Sequence, residues 1–340
     1  GTVIGLEFTY NNTNEFTVKT KKEVILSAGT IGTPQLLMLS GIGPGKQLKK
    51  LEIPLIKDLP VGRNLQDHVA VPLFFLLNKS TARTPLKLDI MDDIFNYAMH
   101  RTGVLGATGA GDMVAMINTT NSEYPDILLL HHVFRRDAID IQFYLTVMGY
   151  NEMIGRVILD SNRDAHIGIV NVLLLNPKSE GKIKLRSADP NDKPKIYPNY
   201  LNHTDDIETL VRGIKYQVDY VNTETFKTSE AVLLRLPLLD CKDLEYQSDE
   251  YWKCYASYMS TSMYNPTSTA KMGPKSDKSS VVDPRLKVKG IKGLRVIDAS
   301  VMPKVVSANI NAAVVMIAEK GADFIKEDWK TAENEKKDEL

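Results

Sequence analysis

The sequence predicts an α/β protein in which a parallel-sheet layer is split along the chain by an α+β domain built on a mixed or antiparallel sheet. Three observations predict it. A short apolar strand, Glu23 to Ser27, passes through Gly29 into a helix that stops at Gly41. A second strand, Leu294-Arg295-Val296-Ile297, delivers Asp298 at its carboxyl end, where open α/β sheets bind ligands, and a final helix follows over Ala312 to Ile325. Between these lies a long stretch of strand-like runs separated by turn-forming residues.

Val3 to Tyr10 and Glu15 to Lys19 alternate apolar and polar residues around Asn11-Asn12-Thr13, which reads as a hairpin. At Gly29 a backbone without Cβ permits a sharp turn or a close ligand approach. Thr33 is expected as the N-cap and Pro34 as the first helical residue, with Leu36, Leu37 and Leu39 facing inward. Further on, Val71 to Leu77, Met113 to Asn118, Asp126 to His132, Ile141 to Val147, Ile167 to Leu175 and Lys182 to Arg186 read as strands. A helix is expected near Leu86 to His100. A longer one over Asp205 to Val221 carries Ile207, Leu210, Ile214, Val218 and Val221 at helical spacing. On periodicity alone this middle region suits any α+β domain. The tail from 329 to 340 is charged and expected to be disordered.

With 340 residues, 43% of them hydrophobic, the chain can bury a large core. Lys+Arg and Asp+Glu both number 42, so net charge makes no case for nucleic acid or an anionic membrane surface. No apolar run approaches the ~18 residues that span a bilayer. A Rossmann site for a dinucleotide needs a strand, a G-x-G-x-x-G turn and a helix N-terminus, and the sequence contains no such turn. Gly41-Ile42-Gly43 follows a helix and reads as its stop. The first residue is Gly1 and a strand-like run follows at once, so the chain is expected to be the C-terminal half of a longer protein.

Several separated blocks carry a resemblance. They are Met263-Tyr264-Asn265-Pro266-Thr267-Ser268-Thr269-Ala270-Lys271-Met272-Gly273 and Asn309-Ile310-Asn311-Ala312-Ala313 near the end, and the run from Val24 to Pro44 near the start. Val61-Gly62-Arg63-Asn64-Leu65-Gln66-Asp67-His68, Val282 to Leu286 and Gly293 to Pro303 complete the set. Together they resemble the C-terminal portion of the glucose-methanol-choline (GMC) flavin oxidoreductases, above all the insect glucose dehydrogenase-like branch. The resemblance implies part of a Rossmann-like domain binding flavin adenine dinucleotide (FAD) over 1–71, a substrate-binding domain over 72–260, and a return to the FAD domain over 261–328. It implies that Ala28 and Gly29 lie against the adenine half of FAD and that Asp298 and Ala299 contact its ribityl and pyrophosphate region. Asn309 and Ala312 mark the helix start that faces the flavin pyrimidine. No metal is implied. The substrate class is a small-molecule alcohol or sugar, and oxygen or a quinone accepts the electrons.

One departure matters. Oxidising a CH–OH donor requires loss of the hydroxyl proton as well as hydride, and histidine suits that task because its reference pKa is about 6.5. The family places a His-Pro where Asn265-Pro266 stands, and a histidine or asparagine where Asn311 stands. Asn311 keeps the polar partner, whereas an amide oxygen at Asn265 accepts a hydrogen bond but barely a proton. Thr267 and Ser268 also depart from the family's Val/Ala-Gly pattern. The candidate catalytic residues are therefore Asn265 and Asn311, with residual activity expected to be low; a catalytically silent binding or scaffold protein is the alternative. None of the six histidines falls in either catalytic block. His131-His132 could reach a substrate cavity, although paired histidines on a strand are more often structural, and His68 belongs to a block expected near the flavin entrance.

Three features bear on the compartment. The chain ends Lys337-Asp338-Glu339-Leu340, the retention tetrapeptide of the endoplasmic reticulum lumen, although a charged tail can end so by chance. N-glycosylation sequons occur at Asn11, Asn78, Asn118 and Asn202. Cys241 and Cys254 are either a disulfide or two thiols, and paired cysteines in the insect branch imply the disulfide. The expected location is the endoplasmic reticulum lumen or the outside of the cell.

Overall fold

The computed structural model describes residues 1–11, 14–78, 90–106, 113–120, 123–138 and 140–338. They form two compact units. The first comprises Gly1–His68, Asn176–Asn202 and Tyr264–Leu340, the second Val69–Leu175 and His203–Met263. The sequence reading assigns 176–202 to the middle block, but strand Gly181–Lys184 pairs with Arg63–Leu65, which draws that segment into the first unit.

In the first unit the expected hairpin forms from Gly5–Tyr10 and Asn14–Lys19, in antiparallel register with Phe8 opposite Phe16. Strands Val24–Leu26 and Leu294–Val296 pair in parallel. Arg63–Leu65, Gly181–Lys184 and Lys195–Tyr197 make a three-stranded antiparallel sheet. One apolar cluster joins these elements: Leu37, Met38 and Leu48 meet Val282, Leu286, Leu294, Val296 and Val301.

The second unit is organised by a six-stranded antiparallel sheet. Its order is Ala231–Leu233, Val69–Leu77, His166–Leu174, Ile127–Phe134 and Met113–Ile117, with Thr261–Ser262 also paired to Val69–Leu77. Helix Thr204–Val218 lies against this sheet at Gly213, where a Cβ would come within 2.9 Å of Val172 and 3.0 Å of Ile127. Nothing larger than hydrogen fits there. Helix Asp249–Met259, capped by Ser248 through the Tyr251 N–H, buries Tyr251, Trp252 and Tyr255, and the Tyr255 hydroxyl donates to the Pro72 carbonyl. Cys241 and Cys254 are joined in a disulfide.

Four expectations change. Residues 141–147 lie in helix Asp140–Met148, not in a strand. Ile141 and Leu145 are 1% and 4% exposed while Phe143 between them is 72% exposed. A strand would put all three on one face, whereas a helix turns Phe143 away. The helix expected to start at Pro34 starts at Gly29, with Ala28 as N-cap and Pro34 inside it. Thr33 is therefore no cap, and its hydroxyl serves another partner. Helix Asn311–Asp338 runs through the region read as a disordered tail, because its last residues are mostly Lys, Glu and Ala without glycine or proline. Residues 339–340 lie outside the described residues, as do 86–89 of the helix observed at Ile90–His100. Helix Glu152–Asp164, capped by Asn151, has no counterpart in the sequence reading.

Candidate active site

The candidate residues of the first unit converge at the carboxyl end of the parallel strand pair. Ile297 N–H donates to the Leu26 carbonyl at 2.9 Å and the Ser27 hydroxyl donates to the Ile297 carbonyl at 2.9 Å, so both strands end level. Asp298 follows and is buried. Its Oδ2 accepts the Gly29 N–H at 2.9 Å and the Thr33 hydroxyl at 2.6 Å, and its Oδ1 accepts the Ser300 N–H at 2.8 Å and the Ser300 hydroxyl. A carboxylate from one strand thus closes the N-terminus of the helix after the other, where the helix dipole favours negative charge. Thr33 Oγ1 in turn accepts the Ala28 N–H at 3.2 Å.

Pro34 explains how the second half of the site attaches. Lacking an N–H, it leaves the Thr30 carbonyl, four residues back, without its helical donor. The Thr269 hydroxyl fills that place at 2.7 Å, and the Thr30 hydroxyl donates to the Pro266 carbonyl at 2.7 Å. The 265–272 segment then runs beside the turn after Asp298. Ser268, Ala270 and Met272 donate N–H bonds to the carbonyls of Ala299, Ser300 and Val301. Ser268 has φ +79°, a backbone that glycine adopts freely and serine at a cost of roughly 1–3 kcal/mol. Ala299 opens a buried 3₁₀ turn, Ala299–Val301.

Asn265 is 8% exposed. Its backbone N–H donates to Asp67 Oδ1 at 2.9 Å, and its amide Oδ1 accepts the Ile310 N–H at 3.4 Å. Helix Asn311–Asp338 begins at the next residue, so Asn311 is its first helical residue and Ile310 holds the N-cap place. Asn309, Asn311 and Ala312 are all exposed around this helix start. Hydrogen bonds thus join Gly29 to Asp298 and Ala299 to the 265–272 segment, and Asn265 to Ile310, beside which Asn309, Asn311 and Ala312 lie in sequence.

From the sequence, Asp67, Gln66 and Tyr200 have no assigned role, and His68 is expected only near the flavin entrance. Asp67 accepts from Asn265 through one oxygen and from the Tyr200 hydroxyl through the other at 2.6 Å. Gln66 Oε1 accepts the Val305 N–H at 2.9 Å, which ties the same block to the approach of the last helix. His68 Nε2 lies 3.0 Å from the Val306 carbonyl, and since a carbonyl only accepts, that nitrogen carries the proton. The Asn64 to His68 block was visible in the sequence as a unit; Tyr200, far along the chain, gave no signal. In the second unit burial lowers the His131 pKa, despite opposing hydrogen bonds, so this histidine is neutral near pH 7.

The donor set fits the ends of a flavin dinucleotide. A Cβ on Gly29 would meet no atom within 4 Å, so the strand-to-helix turn leaves room for a ligand, and the exposed helix start at Asn311 offers free N–H groups to an anionic ring edge. The diphosphate needs a glycine-rich turn that this sequence does not contain. Among the described residues, no group of three or more His, Cys, Asp or Glu side chains is placed to hold a metal. Nor is any helix among them long and apolar enough to cross a membrane.

Comparison with known proteins agrees with this geometry. The chain is 36% identical over 329 residues to the glucose dehydrogenase [FAD, quinone] of Drosophila pseudoobscura, covering 96% of this chain and 50% of that one. It is 37% identical over 338 residues to the ecdysone oxidase of Bombyx mori, covering 97% and 48%. Among solved structures, a formate oxidase of Aspergillus oryzae studied for FAD modification superposes with a TM-score of 0.77 at 28% identity, covering 97% of this chain and 58% of that one. The chain spans about half the length of the curated relatives it matches. Family models described as GMC oxidoreductase match residues 1–70 and 177–318, more than half of the sequence and including every candidate site residue, and the chain belongs to that family.

Proposed function

We propose that the protein carrying this chain is an FAD-dependent oxidoreductase acting on the CH–OH group of an alcohol or sugar, and that Asn265 makes it a slow one. The reading rests on one observation: the buried Asn265 amide meets the backbone at the entry to the helix that begins with Asn311. Bound flavin supplies the hydride acceptor. Ala28, Gly29, Asp298 and Ala299 would hold its adenine, ribityl and pyrophosphate portions, and Asn309 and Ala312 would meet its pyrimidine edge. The positive end of the last helix favours negative charge there.

Asn265 and Asn311 orient the donor hydroxyl by hydrogen bonds. Neither takes its proton, and losing a positioned general base costs roughly 10² to 10⁴ in rate. A silent scaffold is the rival reading. It is favoured by the Asn265 oxygen being already committed to the Ile310 N–H, which leaves less of it for a substrate.

Asn265→His in the flavin-loaded, full-length protein decides between them. It should speed alcohol-dependent bleaching of the flavin band by at least tenfold. Wild-type bleaching as fast as the histidine variant's would sink the account of Asn265, and no bleaching in either would favour the scaffold. The similarity to a Drosophila glucose dehydrogenase [FAD, quinone] favours a quinone over oxygen as electron acceptor. The disulfide and the exposed sequon asparagines support a location in the endoplasmic reticulum lumen or outside the cell.

A further inference from the structure

A chain with zero formal charge carries one strongly basic concavity, and it lies apart from the candidate active site. A groove of about 790 Å³ opens in the first unit between helix Gly45–Lys50 and the three-stranded sheet. Strand Gly181–Lys184 and the residues after it alternate Lys182, Ile183, Lys184, Leu185, Arg186. Ile183 and Leu185 point into the core and the three cations point outward.

The register sharpens this. Lys184 stands directly opposite Lys195 and Lys182 directly opposite Arg63, and paired residues share a face of the sheet. Like charges in that relation destabilise a sheet. The facing helix repeats the pattern with Lys46 and Lys50 four residues apart, a spacing at which like charges also repel. None of these six cations has an ion-pair partner among the described residues, and Glu180 is the only carboxylate lining the groove. Three like-charge pairs around one concavity lower the stability of the empty protein. A ligand bearing several negative groups relieves all three at once.

We infer that this groove is a binding site for a compact polyanion, a small scaffold or short oligosaccharide bearing several sulfate or phosphate groups. A single oxyanion reaches only one wall, whereas the charges stand on two. The one aromatic ring in the lining, Tyr197, already has the Lys182 and Lys184 ammonium groups over it at 5.8 and 5.9 Å. The groove therefore offers no stacking platform of the kind that single-stranded nucleic acid uses.

The test is calorimetric titration of the intact protein with a heparin hexasaccharide, tripolyphosphate and orthophosphate as probes, so that no flavin or turnover is needed. The hexasaccharide or tripolyphosphate should bind with 1:1 stoichiometry, at least tenfold tighter than orthophosphate. The tighter of the two identifies sulfate or phosphate as the natural group. Lys184→Gln with Lys195→Gln should weaken that binding at least tenfold and raise the melting temperature of the unliganded protein, because the repulsion is gone; a merely structural pair would lower it. Lys275→Gln with Lys278→Gln, outside the groove, should change neither. Failure of both polyanions to bind, unchanged binding by the Lys184/Lys195 variant, or equally tight binding of an oligonucleotide of matched charge would overturn the assignment.

Discussion

The antiparallel sheet of the second unit and the parallel strand pair of the first differ in how much of their hold is polar. Every residue of His166–Leu174 after the first is buried, and the strand is paired over eight residues on each side. The sheet is stabilised by apolar burial. The parallel pair has three residues per strand, and Ile25 at its middle is 43% exposed, although parallel sheets ordinarily bury both faces. Leu294 and Val296 join the apolar cluster of the first unit, and polar ties supplement that burial. Asp298 closes the neighbouring helix, and Arg295, fully buried, donates to Glu23 at 2.7 Å, to the Arg285 carbonyl at 2.9 Å and to Asp328. Trp329 Nε1 donates to the other Glu23 oxygen at 2.9 Å. A layer this small leans more on directional bonds because it has less area to bury.

The contrast can be broken from either side. The largest effect belongs to Phe74→Ala, which empties a fully buried site in the antiparallel sheet and should cost about 3–5 kcal/mol in denaturant unfolding. Ile25→Ala, the matching change in the parallel pair, should cost under about 1 kcal/mol; equal losses would show that both layers rest on burial. Next comes Arg295→Ala, expected to cost about 3 kcal/mol by leaving the Glu23 carboxylate buried without its partner, while Arg295→Met combined with Glu23→Leu recovers most of the loss.

The smallest effect is acid sensitivity. For Asp328 burial is the largest single influence and works to raise the pKa, but the Lys287 and Arg295 hydrogen bonds and the Lys287 and Arg285 charges outweigh it and hold the carboxyl at about 2 against 3.8. A depressed folded pKa contributes stability that is present above pH 3.8 and is lost as pH falls through about 2. Partial exposure reduces this to about 1 kcal/mol. Trp329 fluorescence should report the loss between those limits, and Asp328→Asn should abolish the pH dependence there.

Local chemistry made much of this legible. The hairpin, the strand–Gly29–helix unit and the long helix at Thr204–Val218 follow from patterns spanning a few residues, and the blocks around Asn265, Asp298 and Asn311 stand out because each is contiguous. Where the reading failed, a distant partner had decided. The run Ile141 to Val147 has the β-branched and aromatic residues of a strand, yet a helix buries Ile141 and Leu145 and exposes Phe143. Thr33 has the chemistry of an N-cap, but Asp298, 265 residues later, starts the helix five residues earlier.

Residue identity alone supplies the menu of groups: an amide at 265 where a proton acceptor is expected, an aspartate after a strand, and a strand-like run from Lys182 to Arg186. Residue identity and short-range periodicity carry that information. Which groups meet depends on the packed fold. Asp67 and Tyr200 seat the Asn265 backbone, the Thr30 carbonyl left without a donor by Pro34 accepts the Thr269 hydroxyl, and strand register sets Lys184 against Lys195. Each of these depends on residues apart in the chain being brought side by side, which local propensity does not accomplish and packing does.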